Sequence, residues 1–199
     1  SSSMVYGNFR DTYFDGIPET HDCGPIGQYG IMKLAGEWLV KDYQRKSNLT
    51  YTILRPSAVY GPMDVEDRVV SKFLLSAIRG ETIHVNGPDE QLDFTYVDDA
   101  ATGIVDASVS DNTDNMIYNI TRGQSRTLLE AAELAVKIAG SGTISVNDRD
   151  ENFPSRGQLS ITRAYQDFGF QPSVNIEEGF KEYYDWLINN PIYRIKETV

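Results

Sequence analysis

Gln28-Tyr29-Gly30-Ile31-Met32-Lys33 opens a helix that runs to about Lys46-Ser47-Asn48. Along it Ile31, Leu34, Ala35, Trp38 and Leu39 fall in one stripe at helical spacing, which predicts the packing face. Tyr29 and Lys33 stand at i and i+4, neighbours away from that stripe. A phenol beside an ammonium is a chemical unit, because the positive charge favours phenolate, a general base. The same two residues also meet on ordinary solvated helix faces, so the pair takes its meaning from what surrounds it.

Strand-like and helix-like segments follow in turn. Tyr51 to Arg55 is β-rich, stopped by Pro56, and Gly61-Pro62 makes a turn. Asp67 to Arg79 reads as a helix with Val69, Val70, Phe73, Leu74 and Ala77 apolar, and Thr82 to Asn86 as a strand. Asp98 or Asp99 is placed to cap a helix over Ala100 to Ser108. Met116 to Ile120 reads as a strand and Thr127 to Ala139 as a strongly periodic helix. Beyond lie a strand at Thr143 to Val146, a short helix from Thr162 to Phe168 ended by Gly169, and a last helix reaching Asn189. Ser1 to Tyr6 reads as the end of a buried parallel strand, and Asn8 to Gln28 as a loop long enough to flank a site. The fold class is α/β.

Net charge −11 argues against nucleic acid and anionic membrane as partners, since both need basic surface. A local basic pocket for a phosphate is still compatible with it. At 199 residues and 40% hydrophobic content the chain can bury a real core. Cys23 is the single cysteine, so no internal disulfide forms, and a cytoplasmic setting is expected. No apolar run is long enough to span a bilayer and no signal peptide is visible. His21 and Cys23 lie close together but lack the further ligands of a zinc site, so no metal is expected.

Ser1-Ser2-Ser3-Met4-Val5-Tyr6-Gly7 precedes the Tyr29 helix, and Leu54-Arg55-Pro56-Ser57-Ala58-Val59-Tyr60-Gly61-Pro62 follows it. With Tyr29 and Lys33, these segments resemble the extended short-chain dehydrogenase/reductase family, the NAD-dependent nucleotide-sugar epimerases and dehydratases. The resemblance runs to about Leu187. It implies the C-terminal part of a Rossmann-like doubly wound parallel sheet plus a small α/β substrate-binding lobe. Residues 1–62 would be the remnant of the dinucleotide-binding domain, carrying the Ser and Y-x-x-x-K motifs. Residues 63–199 would be mainly the substrate lobe, interleaved with returning Rossmann elements. The family's G-x-x-G-x-x-G loop has only a spacing match here, Gly24, Gly27 and Gly30, which follows no apolar strand. The expectation is therefore the C-terminal part of a longer enzyme, with NAD held weakly or not at all by this chain alone.

The resemblance also assigns roles. Tyr29 would take the proton of the sugar 4-hydroxyl, with hydride passing to and from NAD, or NADP. Ser2 would relay that proton. Lys33 would bind the nicotinamide ribose and Pro56 and Ser57 would lie against the nicotinamide. Arg68, His84, Asn86 and Arg156 would bind the nucleotide-diphosphate sugar. Relatives commonly dimerise by pairing the Y-x-x-x-K helix and the helix before it with their symmetry mates, so a homodimer through the Tyr29 helix is expected. Ser3 and Met4 stand where related dehydratases carry Asp and Glu, which argues against dehydration. Ala58 replaces a frequent Asn, and Leu92 replaces an Arg of the R-D-F-x-Y-V-D-D segment. An epimerase, a nucleotide-sugar reductase and a non-catalytic lobe that packs without NAD all remain open at this point.

Overall fold

The computed structural model describes residues 1–10, 15–64 and 68–190. Its first feature is a 3-10 turn, Ser3–Val5, where the sequence predicts a strand end. Ser2 has extended backbone, but its Oγ accepts from the Met4 amide at 3.2 Å, and that bond turns the chain.

Helix α1 spans Gly27–Lys46. Its buried residues are Gly30 and Glu37, while Ile31, Trp38 and Leu39 are 55%, 62% and 65% exposed. Of the expected packing stripe Leu34 packs inward, on the small core of Val5, Tyr6 and Phe9, while Ile31, Ala35, Trp38 and Leu39 face outward. The helix also docks through a glycine and an ion pair, because the residue facing it, Arg55 on strand β1 (Thr52–Pro56), is a buried cation. The chain continues through β2 (Val59–Tyr60), α2 (Val69–Ile78), β3 (Thr82–Asn86), β4 (Gln91–Leu92), β5 (Thr95–Tyr96) and α3 (Val97–Val109). Then come β6 (Met116–Ile120), β7 (Arg126–Thr127), α4 (Leu128–Ala139), β8 (Thr143–Asn147), α5 (Thr162–Phe168) and α6 (Ile176–Asn189). Asp67, read as the start of a helix, lies outside the described residues.

Three strand pairs are parallel. β1 runs beside β6 from Thr52 opposite Met116 to Pro56 opposite Ile120. β3 runs beside β8, and β2 beside β5; β4 and β7 are antiparallel. In β3 only Ile83 and Val85 are buried, so Thr82, His84 and Asn86 share the open face. The largest core gathers Phe73 and Leu74 of α2, Ile83 and Val85 of β3, Ala131 and Ala135 of α4, and Phe180, Tyr183 and Leu187 of α6. Tyr60 anchors it, with ring centroids 5.3 Å from Phe180 and 5.8 Å from Tyr96. A smaller core holds Tyr118, Ile120, Ala164 and Phe170 under β1 and β6.

Helix ends follow sequence chemistry in two cases. Thr127 with Glu130, and Asn175 with Glu178, form capping boxes. Asp98 and Asp99 do not cap α3: its N-cap is Tyr96, and both aspartates lie in the first turn. Asp99 instead accepts from the Ser173 amide and hydroxyl and from the Val174 amide at 2.9 to 3.1 Å, fixing the loop before α6. Among the described residues no helix is long and apolar enough to cross a membrane.

Candidate active site

A cavity of about 940 Å³ opens between the Ser3–Val5 turn, the start of α1, the segment after β1, and the open face of β3. Ser2, Tyr29, Arg68, His84, Asn86 and Arg156 all line it. Pro56 and Ser57 are not among its lining residues. Lys33 adjoins it, with Nζ over the Tyr29 ring at 5.4 Å from the centroid.

Gly30 explains how Tyr29 comes close to Ser2. A Cβ on Gly30 would stand 2.6 Å from the Met4 carbonyl oxygen, so only glycine lets α1 press onto the turn that carries Ser2. Tyr29 is 56% exposed, lines the cavity, and its hydroxyl forms no hydrogen bond to a side chain or backbone among the described residues. Ser2 is buried at 7% exposure and its oxygen is held by the Met4 amide. No hydrogen bond joins Ser2 to Tyr29. Ala58, beyond β1, takes a positive φ of 38° in the cavity wall, a region where a Cβ is strained.

The far wall is cationic although the chain is strongly acidic. Arg68, Lys72, Arg149 and Arg156 line it together with Glu90 and Asp150. Arg149 Nε lies 3.4 Å from Glu90, and its other nitrogens reach Glu151 and the Phe153 carbonyl. Arg68 Nε is 4.0 Å from Asp64. Arg156 Nε, like Arg149 Nε, is buried and lacks a hydrogen-bond partner, and no ion pair is formed by Arg156 among the described residues. Burial lowers its guanidinium to about 10, against the opposing pull of Glu90. A guanidinium whose buried Nε has no hydrogen-bond partner is suited to an anion supplied from outside.

Glu90 and Arg149 carried no signal in the sequence, since Arg149 sits in a run of alternating charges that reads as solvated surface. Leu92, at the position of the missing arginine, is buried in the main core and offers nothing to the cavity but apolar surface. His84 is exposed on β3, and Asn86 accepts from Asn147 Nδ2 at 3.0 Å. The loop before α1 is pinned: Ile17 bridges to Leu159, and Glu19 accepts from the Asn119 amide at 2.9 Å.

Parallel strand pairs flanked by helices, with a phenol, an ammonium and a serine hydroxyl gathered at one cavity, define an α/β protein of Rossmann type. The model of the NAD dependent epimerase/dehydratase family matches residues 1–121, and the chain belongs to that family. It is 32% identical over 188 residues to UDP-glucuronic acid decarboxylase 5 of Arabidopsis thaliana, covering 90% of this chain and 54% of the plant protein. Among solved structures it resembles UDP-glucose 4-epimerase of Thermotoga maritima with UDP-glucose, at 28% identity and TM-score 0.87, covering 96% of this chain and 62% of that one. A UDP-glucuronic acid 4-epimerase from Bacillus cereus, in complex with UDP-glucuronic acid and NAD, matches at 26% identity and TM-score 0.87, with 96% and 60% covered. The chain thus spans between about half and three fifths of the length of these relatives.

Proposed function

We propose that the chain serves an NAD-dependent epimerase acting on a nucleotide-diphosphate sugar, with Tyr29 as the acid/base. The observation that carries this is the meeting at one cavity of a phenol under an ammonium with an arginine, Arg156, whose buried Nε has no hydrogen-bond partner. Sugar chemistry needs the first and a diphosphate needs the second.

The residues present fit the nicotinamide end of the cofactor: Tyr29 and Lys33 offer donors beside the cavity, and Ser57 is a buried hydroxyl just past β1. They do not include a pyrophosphate cradle at Gly24, Gly27 and Gly30. The close approach that Gly30 allows is to the Met4 carbonyl oxygen, 2.6 Å from a built Cβ, so that glycine serves the packing of α1 on the Ser3–Val5 turn. NAD, when bound, supplies the hydride acceptor and donor. The chain's own part is to hold and move protons. Tyr29 Oη takes the proton of the sugar hydroxyl, with the Lys33 ammonium held over its ring. Ser2 Oγ orients that hydroxyl. Arg156 and Arg68 hold the diphosphate, and His84 and Asn86 on the open face of β3 meet the nucleoside end. The glutamate and aspartate of a dehydratase are absent at Ser3 and Met4.

The likeness to the plant decarboxylase favours a second reading, a nucleotide-sugar decarboxylase using the same Tyr29 step. Product analysis separates the two: an epimer of the substrate, or carbon dioxide from a uronic acid. Association of two copies through α1 and a cytoplasmic setting belong to the same proposal. The test of the base is Tyr29→Phe in the intact protein. Turnover is lost while nucleotide-sugar binding stays within about twofold, because Phe keeps the ring and removes only the proton acceptor. Wild-type turnover in that variant would refute the assignment.

A further inference from the structure

Among the described residues of α1, Glu37 is the charged residue that is buried, at 2% exposure. Lys33 and Lys41 stand one turn before and one turn after it, the spacing at which lysine and glutamate pair on a helix. Neither pairs with it. Lys33 Nζ lies over Tyr29 and Lys41 Nζ over Trp38. Both Glu37 oxygens are taken by Arg55, whose Nε donates to Oε1 at 2.8 Å and Nη2 to Oε2 at 2.6 Å. Ser1 Oγ adds a third bond at 2.5 Å. Arg55 cannot swing away. Its guanidinium lies 4.7 Å from the Tyr6 ring centroid, and it also donates to the Glu19 carbonyl and Cys23 Sγ.

We propose that Arg55 is a positioning residue for the Tyr29–Lys33 pair: by occupying both oxygens of Glu37 it denies that carboxylate to Lys33 and leaves the ammonium over Tyr29. A planar fork matches a carboxylate at two points, which a lysine in its place cannot do. A buried carboxylate relieved of Arg55 would recruit a flexible cation from one turn away; Lys41 and Lys33, both half-buried, are in reach, and the move of Lys33 is the one that uncovers Tyr29. The inference rests on the reading of Tyr29 and Lys33 as the reacting pair.

The test uses Arg55→Lys, Arg55→Met and the double variant Glu37→Met with Arg55→Met, all in the intact protein. Crystal structures and lysine ammonium NMR, with the Lys33 signal assigned from Lys33→Arg, locate the ammonium without reference to activity. In both single variants Lys33 moves from Tyr29 to Glu37, and turnover falls by about tenfold or more while KM for the nucleotide sugar changes by less than about twofold. In the double variant the ammonium returns to Tyr29 and turnover recovers. Should Arg55→Met fail to fold, Arg55→Lys decides alone. Lys33 remaining over Tyr29 in Arg55→Lys overturns the proposal, and so does a double variant in which Lys33 stays displaced. Full turnover in Tyr29→Phe would instead defeat the reading of the reacting pair, with the place of Lys33 still the measure of this inference.

Discussion

The Asp93 carboxylate accepts from the Leu159 amide at 3.2 Å, three residues beyond Arg156. It also accepts from Thr121 Oγ1 at 2.9 Å and from the Gly123 amide at 3.0 Å. One carboxyl thus ties β5, the end of β6 and the arginine loop together. Burial raises it to about 6 despite those donors. A folded value above the unfolded one means stability that is fully present below pH ~4 and lost as pH rises through about 6. The loss is roughly 3 kcal/mol. Asp93→Asn lacks this dependence, so its deficit against wild type should shrink from pH 4 to pH 7 in urea unfolding followed at each pH. A constant difference would count against it.

Two glycines of α1 should respond oppositely to alanine. Gly36 has nothing within 4 Å of a built Cβ, and alanine there should stabilise by about 0.5–1 kcal/mol through helix propensity. Gly30→Ala meets the Met4 carbonyl and should destabilise by about 1–3 kcal/mol. Chemical denaturation of both variants checks the sign of each.

Arg156→Met should weaken nucleotide-sugar binding by about 10- to 100-fold, the worth of a charge-assisted pair. Its thermal midpoint should hold or rise, since burial already disfavours the charge. Arg156→Lys should regain only part of the affinity. Calorimetric titration and thermal melts together separate a binding residue from a structural one.

The outward face of α1 carries Ile31, Met32, Trp38, Leu39 and Tyr43, each more than half exposed. At about 25 cal/mol per Å² of apolar surface, pairing such a face with a second copy is worth several kcal/mol. Light scattering should find an associated species that Trp38→Glu dissociates. A monomer in both proteins would end this expectation.

Periodicity gave away α4, expected from Thr127 and found from Leu128 with Thr127 as its cap, and β6 lies over the expected Met116 to Ile120. The face of α1 was misread for a physical reason. Pattern logic assigns the inside to Trp38 and Leu39, but a buried Arg55 needs a carboxylate, and that need places Glu37 inward. The Ser1 to Tyr6 segment, expected as a strand end, is a turn instead, held by the Met4 amide on Ser2 Oγ and by the Val5 and Tyr6 amides on the Ser2 and Ser3 carbonyls. The Tyr29–Lys33 pair needed only local spacing. The cationic wall brings Arg68 to Arg149 and Arg156 across more than eighty residues of chain; Arg68 and Arg156 were expected through the family resemblance, and no local pattern announces that Arg149 joins them.

The order of strand pairing bears on how the chain is made. The β1–β6 pair closes the interval from Thr52 to Ile120, and the β3–β8 pair closes the interval from Thr82 to Asn147. Each interval begins or ends inside the other. Neither layer is therefore a continuous stretch that can be finished while the other waits. On the ribosome β3 emerges before β6 and must stay without its partner until residue 147 is out. Cutting the chain anywhere from residue 87 to 115 would sever both pairs at once, so the two halves should survive proteolysis together or not at all.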